Sequence, residues 1–261
     1  MVRGIGQFHP GESALHALDP RVKIVASLAL VVGVFLVGSA WGFAFFAGFV
    51  GTMIALSRVP VGLFLGFLRP VFFIVALTVF FQVLFSREGA PLLEFGFVSV
   101  YTGGIERGAF LAARIFVLVL SASLLTATTA PVALTDGIED LLSPLKRFWF
   151  PAHEVAMMMT IALRFIPTLD EETRKIMRAQ AARGADFSEG GLIKRGRAIV
   201  PILIPLTIGA FRRADELAEA MESRGYRGGE GRSRYRELRF RLRDATALVV
   251  VAAVVVTAAF L

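Results

Sequence analysis

The sequence contains no cysteine, only three histidines and comparatively few charged residues. Charged residues make up 19% of the 261 residues, against about 25% in typical soluble domains. Without cysteine the chain forms neither a disulfide nor a thiolate metal site. His9, His16 and His153 lack the H-E-x-x-H spacing of a zinc protease. We therefore predict that this chain binds no metal and no cofactor of its own.

A nucleotide-binding loop is also missing from the sequence. No G-x-x-x-x-G-K-[ST] motif occurs, and that motif is what cradles ATP phosphates in P-loop proteins. The acidic run 170–172 has no second acidic motif to share a metal with. A place in the first turn of a helix, where acids complement the helix dipole, explains this run better. The sequence therefore offers no motif by which this chain itself would hold ATP phosphates or a metal ion.

Apolar residues are abundant instead, at 56% of the chain, with 24 phenylalanines. Residues 24–57 carry no formal charge over 34 positions. A single helix of that length would extend about 50 Å, more than the hydrocarbon core of about 30 Å. We expect a break at 38–42, and hence an all-α membrane protein with about five transmembrane helices. The predicted spans are 22–38, 42–57, 63–86, 107–128 and 245–261.

The charged residues are concentrated in one segment, 130–243, which holds 20 of the 28 Lys and Arg and 15 of the 21 acids. Cytoplasmic loops carry the excess of Lys and Arg. This rule places the N-terminus and the charged segment in the cytoplasm, with the chain embedded in the cell inner (plasma) membrane. The predicted domains are a membrane domain at 1–128, a cytoplasmic domain at 129–243 and a C-terminal transmembrane helix at 244–261.

The charged segment has the pattern of amphipathic helices. We predict helices over 153–166 and roughly 196–223, with another helix between them that a capping box at Thr168 opens and that ends near Ala182. The arginine-rich stretch 226–243 is expected to contact anionic lipid. Arg114, within the fourth predicted span, is expected to reach towards a membrane surface.

A small residue, an arginine and a glycine occur together at the ends of two of these helices. The triplets are Ala182-Arg183-Gly184 and Ser223-Arg224-Gly225, 41 residues apart. Glycine just past a helix is the usual left-handed C-cap. Each helix end would present one guanidinium beside residues of little bulk, and a guanidinium pairs bidentately with a carboxylate. The repeat therefore predicts two docking tips for another protein.

The order of several motifs resembles the transmembrane T component of energy-coupling factor (ECF) transporters, a branch of the ATP-binding cassette importers. Residues 13–23 are similar to the opening of that family before its first span, and 163–167 resemble the approach to its first coupling motif. Ala-Gln-Ala-Ala-Arg-Gly at 179–184 and Glu-Ser-Arg-Gly-Tyr at 222–226 match its two signature sites. Ser223 is a small-for-small change, since alanine is also seen there. The resemblance covers almost the whole chain.

This resemblance implies that the two arginine-bearing helices are coupling helices. Ala182, Arg183, Gly184, Ser223, Arg224 and Gly225 would then contact two ABC-type ATPase subunits. Those partners would bind and hydrolyse ATP, this chain would be a non-catalytic subunit, and a small membrane subunit, the S component, would capture the vitamin or metal ion. Membrane lipid is a further expected partner, and nucleic acid is not. The sequence leaves two alternatives open, a membrane-embedded lipid-handling enzyme and a stand-alone secondary transporter.

Overall fold

A computed structural model of the chain describes residues 8–95, 98–144, 151–185, 191–228 and 240–261. Those ranges contain eight α-helices and two short β-strands. In chain order they are α1 Pro20–Leu36, α2 Ala40–Ser57, α3 Val61–Phe85, β1 Pro91–Phe95, β2 Val98–Tyr101, α4 Thr102–Thr128, α5 Pro131–Leu142, α6 Ala152–Ala182, α7 Leu192–Ser223 and α8 Leu242–Phe260.

The chain is organised into two compact units. The first consists of Met1–Leu141 together with Glu237–Leu261, and the second of Leu142–Arg236. The first unit therefore contains α1 to α4, nearly all of α5, the strands and α8. The second unit contains α6 and α7.

The long uncharged run breaks where the sequence predicts. α1 ends at Leu36, and α2 begins at Ala40 with Ser39 as its N-cap; the Ser39 hydroxyl accepts the backbone N–H of Gly42 at 3.0 Å. The start of α1 is likewise encoded locally, because Pro20 stands at its beginning and the Asp19 carboxylate accepts the Arg21 N–H at 2.9 Å. A break in this run is confirmed, but it lies at 37–39, and α2 begins two residues before the predicted start at 42.

The first unit is built from helices suited to a membrane. Within the described ranges, α2, α3, α4 and α8 are long and apolar enough to cross a bilayer. α1 has 17 residues, at the lower end of the length that a transmembrane helix needs. The fold is therefore an all-α membrane protein that carries one small β-hairpin. That α1 is a fifth transmembrane span remains a prediction.

Helices α1, α2, α4 and α8 share one apolar core. Val34 and Phe46 are fully buried in it, with Val117 and Val251 beside them. The backbones of α2 and α8 approach so closely that a Cβ on Gly42 would lie 2.3 Å from the carbonyl oxygen of Ala258. Glycine is therefore required at this crossing.

The segment between α3 and α4 differs from the expected loop. It forms an antiparallel hairpin in which Glu94 pairs with Ser99, and α4 begins at Thr102, five residues before the predicted span. Two glycines at 103 and 104 disfavour a helix locally. Close packing of α3 and α4 compensates for this, since a Cβ on Gly104 would lie 3.3 Å from the carbonyl oxygen of Gln82.

Candidate functional site

The two predicted docking tips have the same backbone geometry. α6 ends at Ala182, with Arg183 as C-cap, and Gly184 has a φ of 86°. The N–H of Gly184 donates to the Ala181 carbonyl at 2.9 Å, and the N–H of Ala185 donates to the Gln180 carbonyl at 3.0 Å. These two bonds define a Schellman motif, in which glycine adopts the left-handed conformation at low cost.

The end of α7 repeats this arrangement. Arg224 is the C-cap, with φ and ψ within a degree of those at Arg183, and Gly225 has a φ of 71°. The N–H of Gly225 donates to the Glu222 carbonyl at 2.9 Å, and the N–H of Tyr226 donates to the Met221 carbonyl at 3.0 Å. The helix ends read from the triplets therefore exist and are geometrically equivalent.

Both arginines are exposed. Among the described residues, neither the Arg183 nor the Arg224 guanidinium has an ion-pair or hydrogen-bond partner. The small neighbours Ala182 and Ser223 are exposed as well. Each tip can therefore offer a complete set of guanidinium donors to another molecule.

Packing of α6 against α7 separates the two tips. Glu172 of α6 forms an ion pair with Arg213 of α7, and Met157 lines the same pocket as Arg224. Early residues of α6 thus lie beside late residues of α7, so the helices run in opposite directions along their contact. Met157 and Arg183 are 26 residues apart, which is about 39 Å along a helix. The structure thus places the two arginines at opposite ends of the pair.

The predicted boundary between two helices at Thr168 was wrong, because α6 continues through Pro167. Apolar side chains on both sides of the proline, Phe165 and Leu169, line the pocket against α7. This packing outweighs the loss of one helical N–H at proline. Asp170 does not start a helix either, since its carboxylate accepts from Arg174 Nε at 3.0 Å one turn along.

α7 is also longer than predicted, and it contains two prolines, Pro201 and Pro205. It exposes a row of large apolar side chains spaced three and four residues apart. They are Val200, Leu203, Ile204, Ile208 and Phe211, each at least 47% exposed. Such spacing aligns side chains on one helix face, so α7 presents an apolar stripe, here called the α7 stripe.

The first unit also contains a polar cluster around Asp244 that the sequence does not reveal. The Asp244 carboxylate is 1% exposed and accepts the N–H of Asp19 at 2.9 Å and that of Arg241 at 2.8 Å. Arg21 pairs with Asp140 of α5 at 2.7 Å. The Asp-Pro-Arg run at 19–21 is a local signal for a helix start. The residues that contact it, Asp140 and Asp244, lie far along the chain, and no local pattern points to them.

Arg114 also has a specific role. Its Nη2 donates to the carbonyl oxygen of Val37 at 2.8 Å, and its guanidinium lies 4.8 Å from the Phe110 ring centre. Val37 is the C-cap of α1, where unpaired carbonyls carry partial negative charge. Arg114 of α4 therefore caps the C-terminal end of the neighbouring helix α1. The described residues contain no group of three or more His, Asp or Glu that could hold a metal ion.

The fold defines a multi-pass, all-α membrane protein whose second unit is a pair of long helices with equivalent arginine-bearing ends. Comparison with known proteins gives the family. The cobalt transport protein family, CbiQ, matches residues 11–235. The energy-coupling factor transporter transmembrane protein EcfT of Acidaminococcus fermentans is 50% identical over 257 residues, covering 98% of this chain and 96% of the relative.

Two further relatives with the same name support this result. That of Ruminiclostridium cellulolyticum is 50% identical over 236 residues, covering 90% of this chain and 88% of its own length. That of Bacillus subtilis is 46% identical over 245 residues, covering 94% and 92%. The chain therefore belongs to the family of energy-coupling factor transporter transmembrane proteins, the T components, as its motifs indicate.

Proposed function

We propose that this chain is the coupling subunit of an ECF-type importer. It transmits ATP-driven movement from two ATPase subunits to a membrane subunit that captures a vitamin or a metal ion. The observation that carries the proposal is the pair of exposed, identically capped arginine tips in a member of this family. Neither a lipid-handling enzyme nor a stand-alone transporter accounts for this family membership.

The separation of the tips supports one ATPase subunit per tip. About 39 Å along α6 exceeds the diameter of a small domain, about 30 Å. The two arginines therefore reach separate grooves rather than one. The small residues at 182 and 223 and the glycines at 184 and 225 let each tip enter a groove, where its guanidinium would pair with a carboxylate.

The α7 stripe supports docking of the substrate-capturing subunit. Five large apolar side chains exposed on one face form the kind of surface that marks an interaction site. Methionines on α6 are exposed too, at positions 158, 159 and 177. Their flexible side chains suit a surface that repacks during transport.

The decisive experiment removes the two guanidiniums in the assembled transporter. Truncating one partner of a buried charge pair costs about 2–5 kcal/mol, a loss of roughly 30-fold to several thousand-fold in affinity. Arg183→Ala or Arg224→Ala alone should reduce transport strongly and assembly less, because the other contact still holds the complex. The double variant should lose the ATPase subunits on affinity purification. Lysine at either position should rescue only in part, since it lacks the planar fork.

Two arginines on the same helices serve as matched controls. Arg174 and Arg212 are exposed and pair with acids one turn away on their own helices, Asp170 and Glu216. Arg174→Ala and Arg212→Ala should leave both assembly and transport near the wild-type level. Normal transport by the double tip variant would contradict the proposal.

A further inference from the structure

A cavity of about 400 Å³ lies among α1, α2, α4 and α8 and is partly open at the protein surface. Its walls are mainly apolar, as at Leu30, Phe49 and Leu124. No acidic residue is among the described residues that line it. This volume falls in the range of small-molecule sites, roughly 300–1,000 Å³, and the wall selects for an apolar occupant.

The cavity has one charged end. Lys23 and Arg243 line it from the first turns of α1 and α8, next to Thr128 at the end of α4. From there the lining reaches Leu30 on α1 and Val250 on α8, each seven residues further along its helix. Seven residues of helix correspond to about 10 Å. The cavity is therefore a slot about 10 Å deep that runs from two cations into the apolar part of the unit.

Of the two cations, Arg243 is available to a ligand. The Lys23 ammonium donates to the carbonyl oxygens of His16 and Thr128 at 3.1 and 3.0 Å. The Arg243 side chain is exposed, and within the described residues its guanidinium has no partner. An anionic group at the mouth of the slot would thus meet the free guanidinium of Arg243, whereas the Lys23 ammonium is already held by carbonyl oxygens near the carboxylates of Asp19 and Asp244.

We propose that this slot holds one acyl chain of an anionic phospholipid whose phosphate contacts Arg243. The charge at the mouth matches an anionic headgroup, and the apolar wall matches a chain. A helix of a partner protein fits poorly, because a slot about 10 Å deep takes in fewer than two helical turns of about 5.4 Å each. Since the unit is embedded in a membrane, the surrounding bilayer supplies this ligand.

Lipid retention tests the proposal. The full-length chain, purified with its co-purifying subunits, is incubated in detergent micelles that contain equal amounts of phosphatidylglycerol and phosphatidylcholine, washed, and analysed for tightly held lipid. The wild type should retain phosphatidylglycerol preferentially. Arg243→Gln should reduce this preference about fivefold, because one Lys or Arg near an anionic membrane surface strengthens binding by about that factor. Ala247→Phe, which fills the slot, should remove both lipids.

Two further variants make the result specific. Arg241→Gln removes the same charge from the start of α8, outside the cavity lining, and should retain lipid as the wild type does. Ser27→Leu narrows the slot from α1 and should repeat the loss seen with Ala247→Phe. Wild-type retention in both slot-filling variants, or equal loss in the Arg241 and Arg243 variants, would overturn the proposal.

Discussion

Asp244 joins two parts of the first unit that are 225 residues apart in sequence. Its buried carboxylate receives one N–H from the residue that caps α1 and another from the residue that precedes α8. A buried carboxylate is tolerated only when such donors satisfy it. This one side chain therefore fixes the starts of α1 and α8 next to each other.

Replacing Asp244 should destabilise the protein measurably. Hydrogen bonds to charged groups contribute about 1.5–3 kcal/mol each, so Asp244→Ala should lower the free energy of unfolding by about 3 kcal/mol or more. Thermal unfolding in detergent should show a midpoint lower by about 6–10 °C. Asp244→Asn should lose less, because it keeps one acceptor oxygen. Leu242→Ala, at a side chain that is 87% exposed, is the control, and an equal loss there would refute this role.

At the scale of the element, α7 differs from an ordinary helix of a soluble protein in two ways. It is a continuous helix of 32 residues, yet it contains two prolines and leaves its largest apolar side chains exposed. Its opposite face packs on α6, where Gly209 and Arg213 lie against Glu172. The α7 stripe is therefore not covered by α6.

A charge in the α7 stripe should release the substrate-capturing subunit. An isoleucine side chain buried at an interface contributes about 1.5–3 kcal/mol, and burying an unpaired carboxylate costs more. Ile208→Glu should thus weaken co-purification of that subunit by about 100-fold or more, while the ATPase subunits remain bound. Ile208→Leu keeps the apolar surface and should bind normally. Retention of the subunit by Ile208→Glu would place its docking surface elsewhere.

At the scale of the whole molecule, the distribution of Lys and Arg supports a defined orientation. The positive-inside rule applies best to charges close to the ends of spans. With five spans, Glu12 and Lys175 should face the cytoplasm, and Arg87, between α3 and β1, should face outwards. If α1 does not cross the membrane, Glu12 instead lies on the outer side.

Cysteine labelling tests this orientation cleanly, because the chain contains no native cysteine. All three positions are exposed. A membrane-impermeant maleimide added to intact cells should label Arg87→Cys and spare Lys175→Cys and Glu12→Cys until the membrane is opened. Labelling of Lys175→Cys from outside would exclude a cytoplasmic coupling role. Labelling of both Glu12→Cys and Arg87→Cys from outside, with Lys175→Cys spared, would reduce the spans to four.

Much of the fold follows from local patterns. The long apolar runs predicted the helices α1, α2, α3, α4 and α8, because apolar side chains in a bilayer require a continuous helix whose backbone bonds are satisfied internally. The helix ends at 183–184 and 224–225 followed from glycine, whose left-handed conformation ends a helix at low cost. Patterns of this kind act within one or two turns, so the sequence alone exposes them.

Other features depend on contacts between distant residues. The continuity of α6 through Pro167 is decided by packing on α7, which outweighs a local helix breaker. The early start of α4 depends on the backbone of α3. Local signals weigh about 1 kcal/mol each, and packing of a helix face exceeds that.

What the sequence by itself determined about this protein is its class, its apolar helices and the two arginine tips. Tertiary structure alone decided the separation of those tips, because α6 and α7 pack antiparallel with an ion pair between Glu172 and Arg213. It likewise decided the meeting of Asp19 with Asp244 and the slot beside Arg243. The physical reason is that burial and hydrogen bonding act between side chains brought together in space, and no local pattern encodes which distant partners will meet.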